Sequence, residues 1–125
     1  MLRGDPGYRP PTFSVKTQQG VTVLTVSGND ELDICARDTF DCAVQLSVNA
    51  GQPSVIDLRN VRYLDASAIS VLAKALRTGH SLNLVFDPTV NNTVGRILGI
   101  TGFLAKLPIF PDINAAIAAI HSGAA

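Results

Sequence analysis

Phe13, Val15 and Thr17 alternate with polar residues and predict a strand, Gln19-Gly20 predicts a turn, and Val21 to Val26 predicts a second strand. Together they read as a hairpin. After a loop over 27–30 the spacing of apolar residues changes from two to three or four. Leu32, Cys35, Ala36, Thr39, Ala43 and Leu46 then share one face of a predicted helix, with Phe40 and Val44 flanking it. Gly51 suits the position just past its end, and Pro53 lies beyond. Residues 54–58 form a short apolar run that predicts a buried strand. Ile69, Leu72, Ala73 and Leu76 follow at i, i+3, i+4 and i+7, the stripe of an amphipathic helix closed by Gly79.

Between that strand and helix stands Asp65-Ala66-Ser67, where either polar side chain can cap the free amides of the first turn. A second strip on the helix, Ala68, Val71 and Ala75, is displaced from the inward face. It either packs on a neighbouring helix or offers a partner a surface of small residues. Ser70 and Lys74 are expected in solvent, with Lys74 free to face an acidic partner.

The pattern continues with a strand over 82–86 and a helical stripe of Val90, Val94, Ile97, Leu98 and Thr101 that ends near Gly99 or Gly102. A short strand over 107–110 follows, and Pro108 points to an edge or end position. Asp112 is the expected cap of a last helix with Ile113, Ala116, Ile117 and Ile120 inward. Strands separated by helices favour parallel pairing with right-handed crossovers. The predicted fold is α/β: a mixed sheet of about five strands with about four helices and the N-terminal hairpin at one side.

At 125 residues the chain makes one domain with a core of its own. Residues 1–11, with Gly4, Pro6, Gly7, Pro10 and Pro11, read as a flexible arm before a domain over 12–125. The net charge of +0 and the lack of a Lys/Arg cluster argue against direct nucleic-acid binding. No apolar run reaches the ~18 residues of a membrane span, and the first residues lack the apolar core of a signal peptide. A cytoplasmic, non-membrane protein is expected. Cys35 and Cys42 lie seven apart on the predicted helix, roughly 10 Å between Cα atoms at 1.5 Å per residue. That exceeds the ~7 Å reach of a disulfide, so two buried free thiols are expected.

Catalysis at Ser67 would need a base within about 3 Å. His80 is past the end of the same helix, roughly 18 Å away, and His121 lies near the C-terminus. No nucleophile elbow, phosphate loop or metal-spaced His/Cys cluster is present in the sequence, so no enzyme, cofactor or metal is expected.

Four stretches, in order, resemble the STAS domain, and within it the single-domain anti-sigma factor antagonists of bacteria. Val26-Ser27-Gly28 and Glu31-Leu32-Asp33 resemble the strand end and the Glu-Leu-Asp that opens the family's first helix. Residues 55–58 through Leu64-Asp65-Ala66-Ser67 resemble its signature strand and Asp-x-Ser phosphorylation loop. Ile100-Thr101-Gly102-Phe103 and Pro111-Asp112-Ile113-Asn114-Ala115-Ala116 resemble the end of its third helix and the start of its last. The resemblance implies a switch. The unphosphorylated protein binds an anti-sigma factor that is also a serine kinase, freeing a sigma factor; phosphorylation at Ser67 ends binding, and a serine phosphatase resets it. It also implies a partner surface of Asp65, Ala66, Ala68, Val71 and Asp33.

The sequence departs from the family at three places. Ala66 stands where a second hydroxyl is frequent, which leaves Ser67 as the acceptor. Ala68 stands where glycine is frequent and adds a methyl beside it. Asn29-Asp30 lengthens the loop next to the phosphosite. A different reading of the same fold is a STAS module without a phosphorylation cycle that binds a nucleotide or other small ligand, or scaffolds a signalling complex.

Overall fold

A computed structural model of the chain describes residues 7, 9–87, 89, 92–102 and 106–123. Most of the expected arm over 1–11 lies outside the described residues, as does Val90 of the third helical stripe. The strands are β1 (Thr12–Gln18), β2 (Val21–Ser27), β3 (Glu31–Leu32), β4 (Ser54–Asp57), β5 (Tyr63–Leu64), β6 (Leu82–Val85) and β7 (Ile109–Phe110). The helices are α1 (Arg37–Val48), α2 (Ala66–Arg77), α3 (Asn92–Ile100) and α4 (Ile113–His121).

The main sheet runs β1-β2-β4-β6-β7. The hairpin β1–β2 is antiparallel and every other pair is parallel, so the sheet is mixed, with the hairpin on one side. Gln18 pairs with Val21 across a two-residue turn in which Gln19 and Gly20 both have positive φ, 52° and 77°. This is the turn whose twist matches the flanking strands. β7 is the opposite edge, as Pro108 foretells.

Period-two alternation sorts the strand residues between two layers. Leu24, Val26, Ile56, Leu82 and Leu84 pack with α1, α2 and α3, while Val21, Val23, Val55 and Val85 pack with Ala116 and Ile117 of α4. β4 and β6 are buried at every residue. Strands covered on both faces by helices are buried throughout, and here that burial takes in the polar Ser54, Asp57 and Asn83 as well as the apolar residues.

Three expectations are corrected. The first helix begins at Arg37, not near Leu32: 31–32 form β3, and 34–36 form a 3-10 turn capped by Asp33. Its inward face is Phe40, Ala43, Val44, Ser47 and Val48 rather than a line through Thr39 and Leu46, and Leu46 is exposed. Phe40, expected at the flank, is fully buried and stacks on Phe13 with ring centroids 5.7 Å apart. The thiols are free but are not a buried pair: Cys35 is half-buried in the 3-10 turn and Cys42 is exposed. Two residues on from Phe40, Cys42 is turned about 200° away at 3.6 residues per turn.

Candidate functional site

Two loops meet at the N-terminus of α2. One, over 28–36, follows β2; the other, over 58–65, follows β4. β3 pairs with β5 in a small parallel sheet that joins them, with Glu31 opposite Tyr63 and Leu32 opposite Leu64. Leu32 and Leu64 are buried beneath it. The backbone carbonyl of Asp30 accepts from the amides of Arg62 (2.7 Å) and Tyr63 (3.2 Å), and that of Leu32 accepts from Asp65 (3.1 Å). Asn29 and Asp30, expected from the sequence to lengthen this loop, are therefore part of the join. Asn29 Oδ1 also accepts from the Glu31 amide at 2.9 Å.

The second loop is anchored where it leaves β4. Asp57 is buried and its carboxylate accepts from Arg59 N (3.0 Å), Nε (2.9 Å) and Nη2 (2.9 Å). A fork-to-fork pair of this kind fixes geometry as well as charge. The hydrogen bond to Asp57 raises the Arg59 pKa above its ordinary value against the opposing effect of burial, with the charges of Asp57 and Asp112 adding to the rise.

Asp65 caps α2. Its Oδ1 accepts from the amides of Ser67 (2.9 Å) and Ala68 (3.3 Å) and from the Ser67 hydroxyl. Its Oδ2 accepts from the Ile34 amide, 3.1 Å away on the other loop. One carboxylate thus holds the helix start, the serine and the neighbouring loop together. Of the two capping candidates, Asp65 takes the role and Ser67 does not. Ser67 is the second residue of the helix, half-buried, with its hydroxyl on the carboxylate.

Around Ser67 the expected site residues divide. Asp65 and Asp33 are half-buried and Ala66 is exposed, all near the serine on the joined loops or the helix start. Ala68 and Val71 are 1% and 2% exposed and belong to the core between sheet and helices. A partner surface of Ala68 and Val71 side chains is therefore corrected: that strip is buried in the core together with Ala75. The Ala68 methyl points away from solvent, not across the approach to Ser67. Lys74, exposed, pairs with Asp41 of α1 at 3.1 Å within the chain.

Sequence reasoning missed two residues. Tyr63 and Ile34 are 43% and 64% exposed on the loops that flank Asp65. Tyr63, Ala66, Ile69 and Ile97 help line a largely apolar groove of about 410 Å³ beside the serine. An isoleucine between Asp33 and Cys35 gave no warning, because it fell within the span of the assumed helix but off its apolar face.

Against known proteins, the STAS domain family model matches residues 12–116. The chain belongs to the STAS domain family. Solved structures share its shape. An anti-sigma factor antagonist from Mycobacterium paratuberculosis is 26% identical with a TM-score of 0.75, over 89% of this chain and 94% of that one. A candidate anti-sigma factor antagonist from Thermotoga maritima is 21% identical with a TM-score of 0.70, over 87% and 94%. The anti-sigma factor antagonist SpoIIAA in its unphosphorylated form is 13% identical with a TM-score of 0.61, over 88% and 98%. The last two, below a quarter identical, speak to the fold alone. No match is found among curated proteins. In this STAS domain, no helix among the described residues is long and apolar enough to cross a membrane.

Proposed function

We propose that this STAS domain is an anti-sigma factor antagonist switched by phosphorylation at Ser67. The unphosphorylated form binds an anti-sigma factor with serine kinase activity in the cytoplasm and frees a sigma factor; a serine phosphatase restores it. The observation that carries this reading is the Ser67 hydroxyl, half-buried at a helix N-terminus and bonded to the Asp65 carboxylate. It does so in a chain whose neighbour at 26% identity is an anti-sigma factor antagonist.

The chemistry supports a switch that leaves the fold intact. Phosphate adds about −1.5 to −2 charges at pH 7 and converts a donor into an acceptor. The hydroxyl bond to Asp65 is lost, and two anionic groups then compete for the first-turn amides. The helix dipole offsets part of that repulsion, so α2 persists. A partner packed on Asp65, Asp33 and Ala66 meets the new charge without such compensation. Exposed Ile34 and Tyr63 supply the apolar contact beside it. A hydrolase reading gains no support from the histidines: His121 Nε2 bonds the Gln19 carbonyl at 2.7 Å and His80 lies beyond the far end of α2.

The test is a pull-down from extract of the native cells with wild type, Ser67→Ala and Ser67→Glu as baits. An ATP-binding kinase retained by the first two and lost from the third is the expected result. Equal recovery by all three baits would remove Ser67 from the mechanism.

A further inference from the structure

At the other end of the strands from Ser67, the starts of β4 and β6 and the ends of α1, α2 and α4 surround a cleft of about 380 Å³. That volume falls within the usual range for small-molecule sites. Val48, Pro53 and Ile120 give it apolar walls, and Gln52, His80 and Asn83 give it polar ones. Among the described lining residues none is Lys, Arg, Asp or Glu.

Asn83 is the unusual member. It is 1% exposed on β6, and its Nδ2 donates to the Ser54 carbonyl at 3.1 Å. That bond assigns the amide, leaving Oδ1 as a buried acceptor with no donor among the described residues. A buried acceptor without a donor is a standing cost that most native sites avoid. Gln52 is fixed in the opposite sense. Its Oε1 accepts from Thr22 Oγ1 at 3.0 Å, so Nε2 is the end left to donate.

We infer that this cleft binds a small uncharged molecule whose edge carries a hydrogen-bond donor beside an acceptor, as a lactam, a primary amide or a pyrimidine base does. The donor meets Asn83 Oδ1, the acceptor meets Gln52 Nε2, and the apolar body lies against Val48, Pro53 and Ile120. The oxygen is closed to bulk solvent, so the donor reaches it by seating at the cleft floor and displacing the side chains over it. The absence of fixed charge in the lining disfavours phosphorylated ligands, whose anions need basic partners. The site is independent of Ser67 and of any phosphorylation there.

The test uses the full chain labelled with nitrogen-15, titrated with 2-pyrrolidinone, with uracil and with cyclopentanone, which has the lactam's shape but no N–H. Saturable shifts of the Asn83 and Gln52 side-chain amides are expected with the first two. Cyclopentanone is expected to bind at least about fivefold more weakly, the worth of one modest hydrogen bond. Asn83→Leu and Gln52→Met should each weaken 2-pyrrolidinone by a similar factor. Gln52 is half-buried in the turn before β4, so its variant decides the matter if Asn83→Leu does not fold. No saturable shift up to the solubility of the probes, or equal binding of cyclopentanone, would overturn the inference and leave a buried water as the partner of Oδ1.

Discussion

Replacing Asp65 is the sharpest structural perturbation, because one carboxylate serves two elements. Asp65→Ala removes the acceptor for the Ser67 and Ala68 amides, and with it the cap of α2. Loss of an N-cap costs about 1 kcal/mol, within a range of roughly 0.5–2. The same change frees the Ile34 amide, whose bond spans the two loops. Water can replace that partner at an exposed residue, so the loss is nearer ~0.5–1 kcal/mol. Together the expected cost is about 2 kcal/mol. Asp65→Asn separates the two parts. Asparagine caps as well as aspartate, but its amide nitrogen cannot accept from Ile34, so it should cost only ~0.5–1 kcal/mol. Urea unfolding of both variants measures this through the midpoint at unchanged slope. Hydrogen exchange should show the Ile34 amide released in both and the Ser67 and Ala68 amides released only in Asp65→Ala. An alanine variant within ~0.5 kcal/mol of wild type, or an asparagine variant as damaged as alanine, would refute the reasoning.

Other consequences follow from the same geometry. Ala68→Leu should destabilise by about 1–3 kcal/mol through overpacking and Val71→Ala by about 2 kcal/mol through a cavity, whereas exposed Ala66→Leu should leave chemical unfolding unchanged and alter partner binding instead. Gln19 adopts a left-handed backbone at φ 52°, so Gln19→Gly should stabilise the hairpin by up to about 1 kcal/mol in thermal unfolding. The Thr89 hydroxyl (2.7 Å) and amide (2.9 Å) donate to Asp87 and hold its pKa below the ordinary carboxylate value. A carboxyl depressed on folding stabilises the native state fully above its unfolded pKa and ceases to as pH falls through the folded one. Carbon-detected NMR titration should therefore find Asp87 below the ordinary value, and Thr89→Ala should bring it up.

The parts of the fold that follow from periodicity were legible in the chain. Alternation in β1 and the i, i+3, i+4 stripe of α2 each have one reading, and Pro108 marks the edge strand. β3 and β5 were not legible. Two-residue strands carry no period, and their pairing depends on the loops being brought together by β2 and β4. Their loss displaced the start of α1 by several residues and turned its face, which exposed Leu46 and Cys42. The Asp-x-Ser motif marked the candidate site, but the division of labour within it needed the geometry. A serine and an aspartate cap equally well on sequence grounds, and only the structure assigns the cap to Asp65. The burial of Ala68 and Val71 was undecided for a similar reason. A strip of small residues suits the core as well as a partner, and its burial in the structure chooses the former.

The most direct measurement is calorimetric titration of the captured anti-sigma partner into the STAS domain before and after enzymatic phosphorylation, with the phosphosite mapped by mass spectrometry. The account predicts phosphate on Ser67 alone and affinity lower by about a hundredfold or more, roughly 2.7 kcal/mol, in line with an uncompensated charge at an interface. Circular dichroism should be unchanged between the two forms. Phosphate on another residue, or equal affinity with Ser67 fully phosphorylated, would contradict it.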